Sequence, residues 1–123
     1  MKRLAVSLAL LLVLLPSVGA AAPQQVDVEI ADATDSASWT FNPSSITVPV
    51  GSTITWRNGS GVAHTVTSRD ELFDSRMVDS GKSWSHTFDV PGTYRYFCVP
   101  RPWMKGIVTV LSDEAGTHPA GAS

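Results

Sequence analysis

Cys98, Met104 and, further upstream, His64 are the residues of this chain best suited to chemistry. A thiolate, a thioether and an imidazole make up the soft, asymmetric donor set that copper takes in electron-transfer sites. Cys98 and Met104 bracket the short run Val99-Pro100-Arg101-Pro102-Trp103. Arg101 cannot join the donors, because a guanidinium stays protonated and has no lone pair to give a metal. Pro100 and Pro102 fix φ on either side of it and remove backbone N–H groups, which stiffens the run and leaves fewer donors near the sulfur. The sequence therefore offers three soft donors for one ion, with a permanent positive charge set among them.

Other candidates are weaker. Cys98 is the only cysteine, so no internal disulfide can form, and a free thiol in an oxidising compartment must be buried or metal-bound to survive. His86 alternates with Trp84 and Phe88 on one strand face and reads as a structural histidine. His118 lies in a polar tail and could reach the site only by folding back. Met77 reads as core or loop packing and not as a second sulfur ligand. The tryptophans read as core, except Trp103, which follows the candidate ligand run. Nothing resembles a phosphate loop, a serine–histidine–acid arrangement or an acid–base pair, so an enzyme is not expected.

The elements that must position these residues are short strands. Val26, Val28 and Ile30 alternate with Asp27 and Glu29, the period of a half-buried strand. Similar alternation marks Trp39 to Pro43, Ile46 to Val50, Ile54 to Arg57, Thr65 to Thr67, Trp84 to Phe88 and Thr93 to Cys98, with a last strand opening at Gly106. Gly51-Ser52 and Pro91-Gly92 are turns, Pro49 suggests a strand end, and Ser68 to Ser83 reads as irregular. Seven to eight strands without helical periodicity predict an all-β, antiparallel Greek-key sandwich.

Residues 1–22 have the layout of a secretory signal peptide: Lys2 and Arg3, the apolar run Leu4 to Leu15, then small residues. Cleavage after Ala20 or Ala21 is favoured, since a cut after Ala22 would leave Pro23 at the new terminus. The run is too short to span a bilayer, and the mature chain has no other candidate span. Residues 23–111 then form one domain, and 112–123 a disordered tail. The formal net charge is −2, and loss of Lys2 and Arg3 takes it to −2 − 2 = −4. That acidity argues against nucleic acid as a partner.

Several pieces in order resemble the cupredoxin family of type 1 blue copper proteins, most closely the amicyanin and plastocyanin-like group. They are Phe41-Asn42-Pro43, Ile46-Thr47-Val48 with Gly51, Ile54-Thr55-Trp56-Arg57-Asn58, and His64-Thr65-Val66. Thr87-Phe88, Gly92-Thr93-Tyr94, Tyr96, Cys98, Met104 and Gly106-Ile107-Val108 complete the set, which covers most of the chain after the leader. The resemblance implies His64 as the first imidazole ligand, Cys98 as the thiolate and Met104 as a distant axial sulfur. It implies that Asn58 ties two site loops together, and that an amide at Thr65 or Val66 supports the cysteine sulfur. In the family a second histidine occupies the position of Arg101, so the resemblance also implies an altered ligand set here. Arg101 is expected to swing outward, its stem covering an apolar docking patch that includes Trp103 and its head in water.

The implied function is that of an exported, periplasmic or extracellular monomer that holds one copper ion and carries single electrons between redox proteins. Arg101 keeps two alternatives open: a Cu(I) carrier or scavenger without electron traffic, and a metal-free binding module that kept the sandwich.

Overall fold

The computed structural model describes residues 21–33 and 35–112. Most of the expected leader, the tail beyond Ser112, and His118 lie outside the described residues. Among the described residues there are eight strands: β1 (Gln25–Ala31), β2 (Thr40–Asn42), β3 (Ser45–Pro49), β4 (Ser52–Asn58), β5 (Thr67–Ser68), β6 (Ser83–Phe88), β7 (Gly92–Cys98) and β8 (Arg101–Leu111). A 3₁₀ turn, Ser36–Ser38, interrupts the loop before β2. Gly51, at φ 87°, makes the turn from β3 to β4 in a region that L side chains avoid. The Asn42–Pro43 peptide is cis.

The strands form two four-stranded sheets, ordered β2-β1-β4-β6 and β3-β8-β7-β5. The expected sandwich is present, but it is not antiparallel throughout. β1 runs parallel to β4, pairing Val28 with Trp56, and β3 runs parallel to β8, pairing Ile46 with Val108. Side-chain alternation reports which face is buried and carries no information on the direction of the neighbouring strand. Pro49 ends β3 at a sheet edge, where its missing N–H breaks no ladder.

Inward residues of both sheets make one core. Val28, Ile30, Phe41, Ile54, Trp56, Phe88, Tyr96 and Val108 are all essentially inaccessible. Its aromatic centre is Trp56, in T-shaped contact with Tyr96 at 5.4 Å between centroids and tilted against Trp84 at 5.5 Å. Phe73, from the irregular stretch, joins this cluster and packs 5.0 Å from His86. Met77 does not: it is 57% exposed, against the expectation of packing, because Val78 takes the inward position beside it.

β7 and β8 pair from Gly92–Val110 to Phe97–Lys105, after which the register jumps and Cys98 pairs with Arg101. Pro102, Trp103 and Met104 are the extra residues on the β8 side of this bulge. Bulges of this kind bend a strand and re-aim its side chains. The last strand therefore opens at Arg101, not at Gly106 as the alternation suggested, since Pro102 and Trp103 break the period while the pairing continues.

Candidate metal centre

The structure brings His64 and Cys98 together in the interior. Both are fully buried, and His64 Nδ1 lies 3.5 Å from Cys98 Sγ. Cys98 is there because the inward face of β7 runs through Tyr94, Tyr96 and Cys98. His64 is held by a separate, isolated bridge to Val78. The His64 N–H donates to the Val78 carbonyl at 3.1 Å, and the Val78 N–H donates to the His64 carbonyl at 2.7 Å.

Asn58, at the end of β4 and 2% exposed, links the pieces around this bridge. Its side-chain NH₂ donates to the carbonyls of Val62 at 2.8 Å and Val78 at 2.9 Å, and its oxygen accepts from the Ser60 amide at 2.9 Å and hydroxyl at 2.6 Å. One buried amide thus fixes both the loop that leads into His64 and the segment that pairs with it, with its hydrogen-bonding capacity filled.

The sulfur has a backbone neighbour as well. The Thr65 N–H donates to Cys98 Sγ at 3.5 Å, while the Val66 N–H goes instead to Ser75 Oγ at 2.7 Å. The Thr65 hydroxyl accepts the Val99 N–H at 2.8 Å, pinning the start of the ligand run to the histidine loop. Met104 is 1% exposed in the same core as Cys98. Pro100 and Pro102 are exposed.

Arg101 does not extend into water. Its Nη1 donates to the Ala63 carbonyl at 3.0 Å, and its guanidinium carbon lies 4.7 Å from the centre of the Trp39 ring. Trp39 in turn meets the His64 ring nearly perpendicularly, 5.7 Å between centroids. The physical reason is plain: a carbonyl and an aromatic face together offer a weakly hydrated guanidinium more than solvent does. Sequence reasoning assigned Trp39 to the core and missed this role. No local signal marks it, since its partners come from distant loops.

Electrostatics follow from this arrangement. Burial, then the Arg101 charge, hold the His64 pKa below its ordinary value, with Asp32 pulling the other way. The imidazole is therefore neutral, the form that donates a lone pair. Its Nε2 is buried without a hydrogen-bond partner among the described residues, so Nδ1, facing the sulfur, is the nitrogen with a neighbour.

The donor set fits a soft metal ion. Bonds of about 2.0 Å to nitrogen and about 2.3 Å to sulfur, meeting at roughly 110°, put the two donors about 3.5 Å apart, which is the Nδ1–Sγ separation. No cluster of three His, Cys, Asp or Glu side chains occurs among the described residues, so a hard or all-nitrogen site is not offered.

Residues 28–111 match a family model described as copper binding proteins, plastocyanin/azurin family. The chain is 36% identical over 97 residues to a plastocyanin of Scenedesmus fuscus, covering 68% of this chain and 99% of that protein. It is 33% identical over 75 residues to amicyanin-alpha of Methylorubrum extorquens, covering 57% of this chain and 63% of the other. A purple cupredoxin from Nitrosopumilus maritimus superposes with a TM-score of 0.63 and 33% identity, covering 69% of this chain and 98% of that one. The Cu(I) form of an amicyanin mutant superposes at 0.61 with 28% identity, covering 70% and 81%.

Sandwich, buried thiol and matching structures together define a cupredoxin. The chain belongs to the plastocyanin/azurin family of copper-binding proteins. It is not an enzyme.

Proposed function

We propose that this protein is an exported carrier of single electrons that holds one copper ion through His64, Cys98 and Met104. The observation that carries the reading is the 3.5 Å approach of His64 Nδ1 to Cys98 Sγ in a buried, preformed setting. Copper, when bound, supplies one-electron exchange between Cu(I) and Cu(II). The protein's residues provide the rest. Asn58 and the Val78 bridge hold the imidazole in place, the Thr65 amide supports the sulfur, and the sandwich resists rearrangement between charge states. Arg101 adds a fixed positive charge, which favours the less positive, reduced state of the site.

Transient partners would meet the apolar residues on the loops around the centre: Val62, Val99 and Trp103 are exposed. The reading includes a secretory leader at 1–22 and a monomeric, periplasmic or extracellular domain. Among the described residues no helix is long and apolar enough to cross a membrane.

The latched Arg101 favours one second reading, a Cu(I) carrier without electron traffic. Three soft donors, with no fourth among the described residues, suit Cu(I), which tolerates low coordination. Metal analysis with voltammetry separates the two. The carrier reading expects one copper per chain and a reversible one-electron couple, both lost in Cys98→Ser. One Cu(I) per chain with no reversible couple would establish the second reading instead.

A further inference from the structure

The edge strand β6 carries a histidine that the metal centre does not use. His86 faces inward between Trp84 and Phe88, at a position where the two-residue period calls for an apolar side chain. Its ring is stacked on Trp84 at 5.6 Å between centroids, packs 5.0 Å from Phe73 and meets Phe88 edge-on at 4.8 Å. It forms no hydrogen bond among the described residues. Its nitrogens are nevertheless not sealed in the core as His64 Nε2 is.

Beside His86 the surface opens into a cavity of about 320 Å³ at the end of β6. Phe88, buried, and Tyr94, half-buried, give it aromatic walls, and the largely exposed Leu72 and Val90 give it an apolar rim. The Tyr94 hydroxyl donates to the Val90 carbonyl, which ties down the β6–β7 turn and commits that hydroxyl. Thr87, Asp89 and His86 are the polar side chains left in the lining. Tyr94 and Cys98 stand four residues apart on β7, about 13 Å along the strand, so the cavity is separate from the metal centre.

Size and lining together select a ligand. At the small end of the about 300–1,000 Å³ range of ligand cavities, the space suits one ring and not a nucleotide or a haem. Aromatic faces favour an aromatic occupant. Burial holds the His86 pKa below its ordinary value, with Asp89 pulling the other way, so the imidazole is neutral and has one lone pair to offer. Asp89 has no ion pair among the described residues, and its charge opposes a ligand carboxylate. The apolar walls penalise a ligand cation. A neutral aromatic molecule with one hydrogen-bond donor meets all of these demands.

We propose that this cavity binds a small neutral phenol, its ring against Phe88 and Tyr94 and its hydroxyl donating to the His86 imidazole. The site needs no copper ion to form, so it stands apart from the electron-carrier reading.

The test is an NMR titration of ¹⁵N-labelled protein, under reducing conditions, with phenol and with toluene, which has the ring but no hydroxyl. Phenol should bind with a Kd on the order of 1 mM, the strength expected of so few ligand atoms, and amide shifts should concentrate at 72, 86–90 and 94. His86→Leu should weaken phenol about fivefold, the loss of one neutral hydrogen bond, and leave toluene within about twofold. Should that variant lose its dispersed spectrum, Val90→Trp, a change at the exposed rim, should still fold and abolish binding of both probes. Absence of these shifts at about 10 mM phenol, well above the expected Kd, would overturn the proposal. So would shifts centred on Val62 and Trp103, an unchanged preference for phenol over toluene in His86→Leu, or unaltered binding in Val90→Trp. Tighter binding of benzoate or benzylamine than of phenol would overturn it as well.

Discussion

At His64, burial and the Arg101 guanidinium act in the same direction, keeping the ring neutral beside Cys98. Arg101 also closes that corner, spanning from the Ala63 carbonyl to the Trp39 ring. Removing it should open a way to the thiol. In metal-free protein, Arg101→Leu should raise the rate of Cys98 alkylation by iodoacetamide about tenfold, the effect of one charge-assisted hydrogen bond worth about 1.5 kcal/mol. An unchanged rate would mean that the core alone guards the sulfur. Arg101→His should instead give the copper-loaded protein an intense blue thiolate-to-Cu(II) band. A copper-loaded but colourless variant would show the rest of the site unsuited to the cupric ion. Asn58→Ala strands the Ser60 amide and takes one hydrogen bond each from the Val62 and Val78 carbonyls, which keep the Ser60 hydroxyl and the His64 N–H, and should cost about 1–3 kcal/mol in denaturant unfolding. A cost below about 0.5 kcal/mol, the scale of an ordinary surface change, would deny Asn58 its linking role. The types of the candidate donors were legible in the sequence, because soft donors are scarce in a chain of this size. The posture of Arg101 was not, since it depends on Trp39 and Ala63, which only the folded chain brings within reach.

Among the elements, the β7–β8 pair does most to shape the site, and its register depends on Gly106. Tyr96 and Gly106 are cross-strand partners, and a Cβ at Gly106 would lie 2.1 Å from Tyr96 Cζ. The ring cannot yield easily, because it is packed edge-on against Trp56 and Phe41. Gly106→Ala should therefore destabilise the protein at the upper end of about 1–3 kcal/mol. It should also disturb the amide resonances of Cys98 and Met104, which a purely local clash would leave in place. Strand positions were largely readable, since one-sided burial imposes a two-residue period on Val26 to Ile30 and on Tyr94 to Cys98. The parallel pairs and the bulge at Pro102 to Met104 were not. Both are set by which strand lies alongside, and alternation within one strand is silent on that.

For the molecule as a whole, buried titratable groups set the pH range of stability. Burial lowers the pKa of both described histidines, His64 and His86. The unfolded chain then binds protons first, near the ordinary histidine value of about 6.5, so stability is full above that pH and falls as pH drops through the lower folded values. Tyr96 acts at the other end. Burial pushes it up to about 12, with the Trp56 indole pulling the other way without reaching hydrogen-bonding geometry. Its contribution is present below about pH 10, the unfolded tyrosine value, and is lost as pH rises toward 12. Denaturant unfolding of metal-free protein should show a plateau between about pH 7 and pH 10, with a shallower acid limb in His86→Phe. A profile flat down to about pH 4.5 would contradict the burial of both rings. The sandwich and the acidic balance could be read from composition and pattern. The grouping of Arg69, Arg95 and Lys105 on one sheet face could not, because it follows from which strands share a sheet.

X-ray absorption at the copper edge of the loaded protein reads directly which atoms hold the ion. One imidazole nitrogen and one short thiolate sulfur are expected on a single ion, with the sulfur lost in Cys98→Ser. A shell of oxygen or nitrogen alone, unchanged by that substitution, would contradict this ligation.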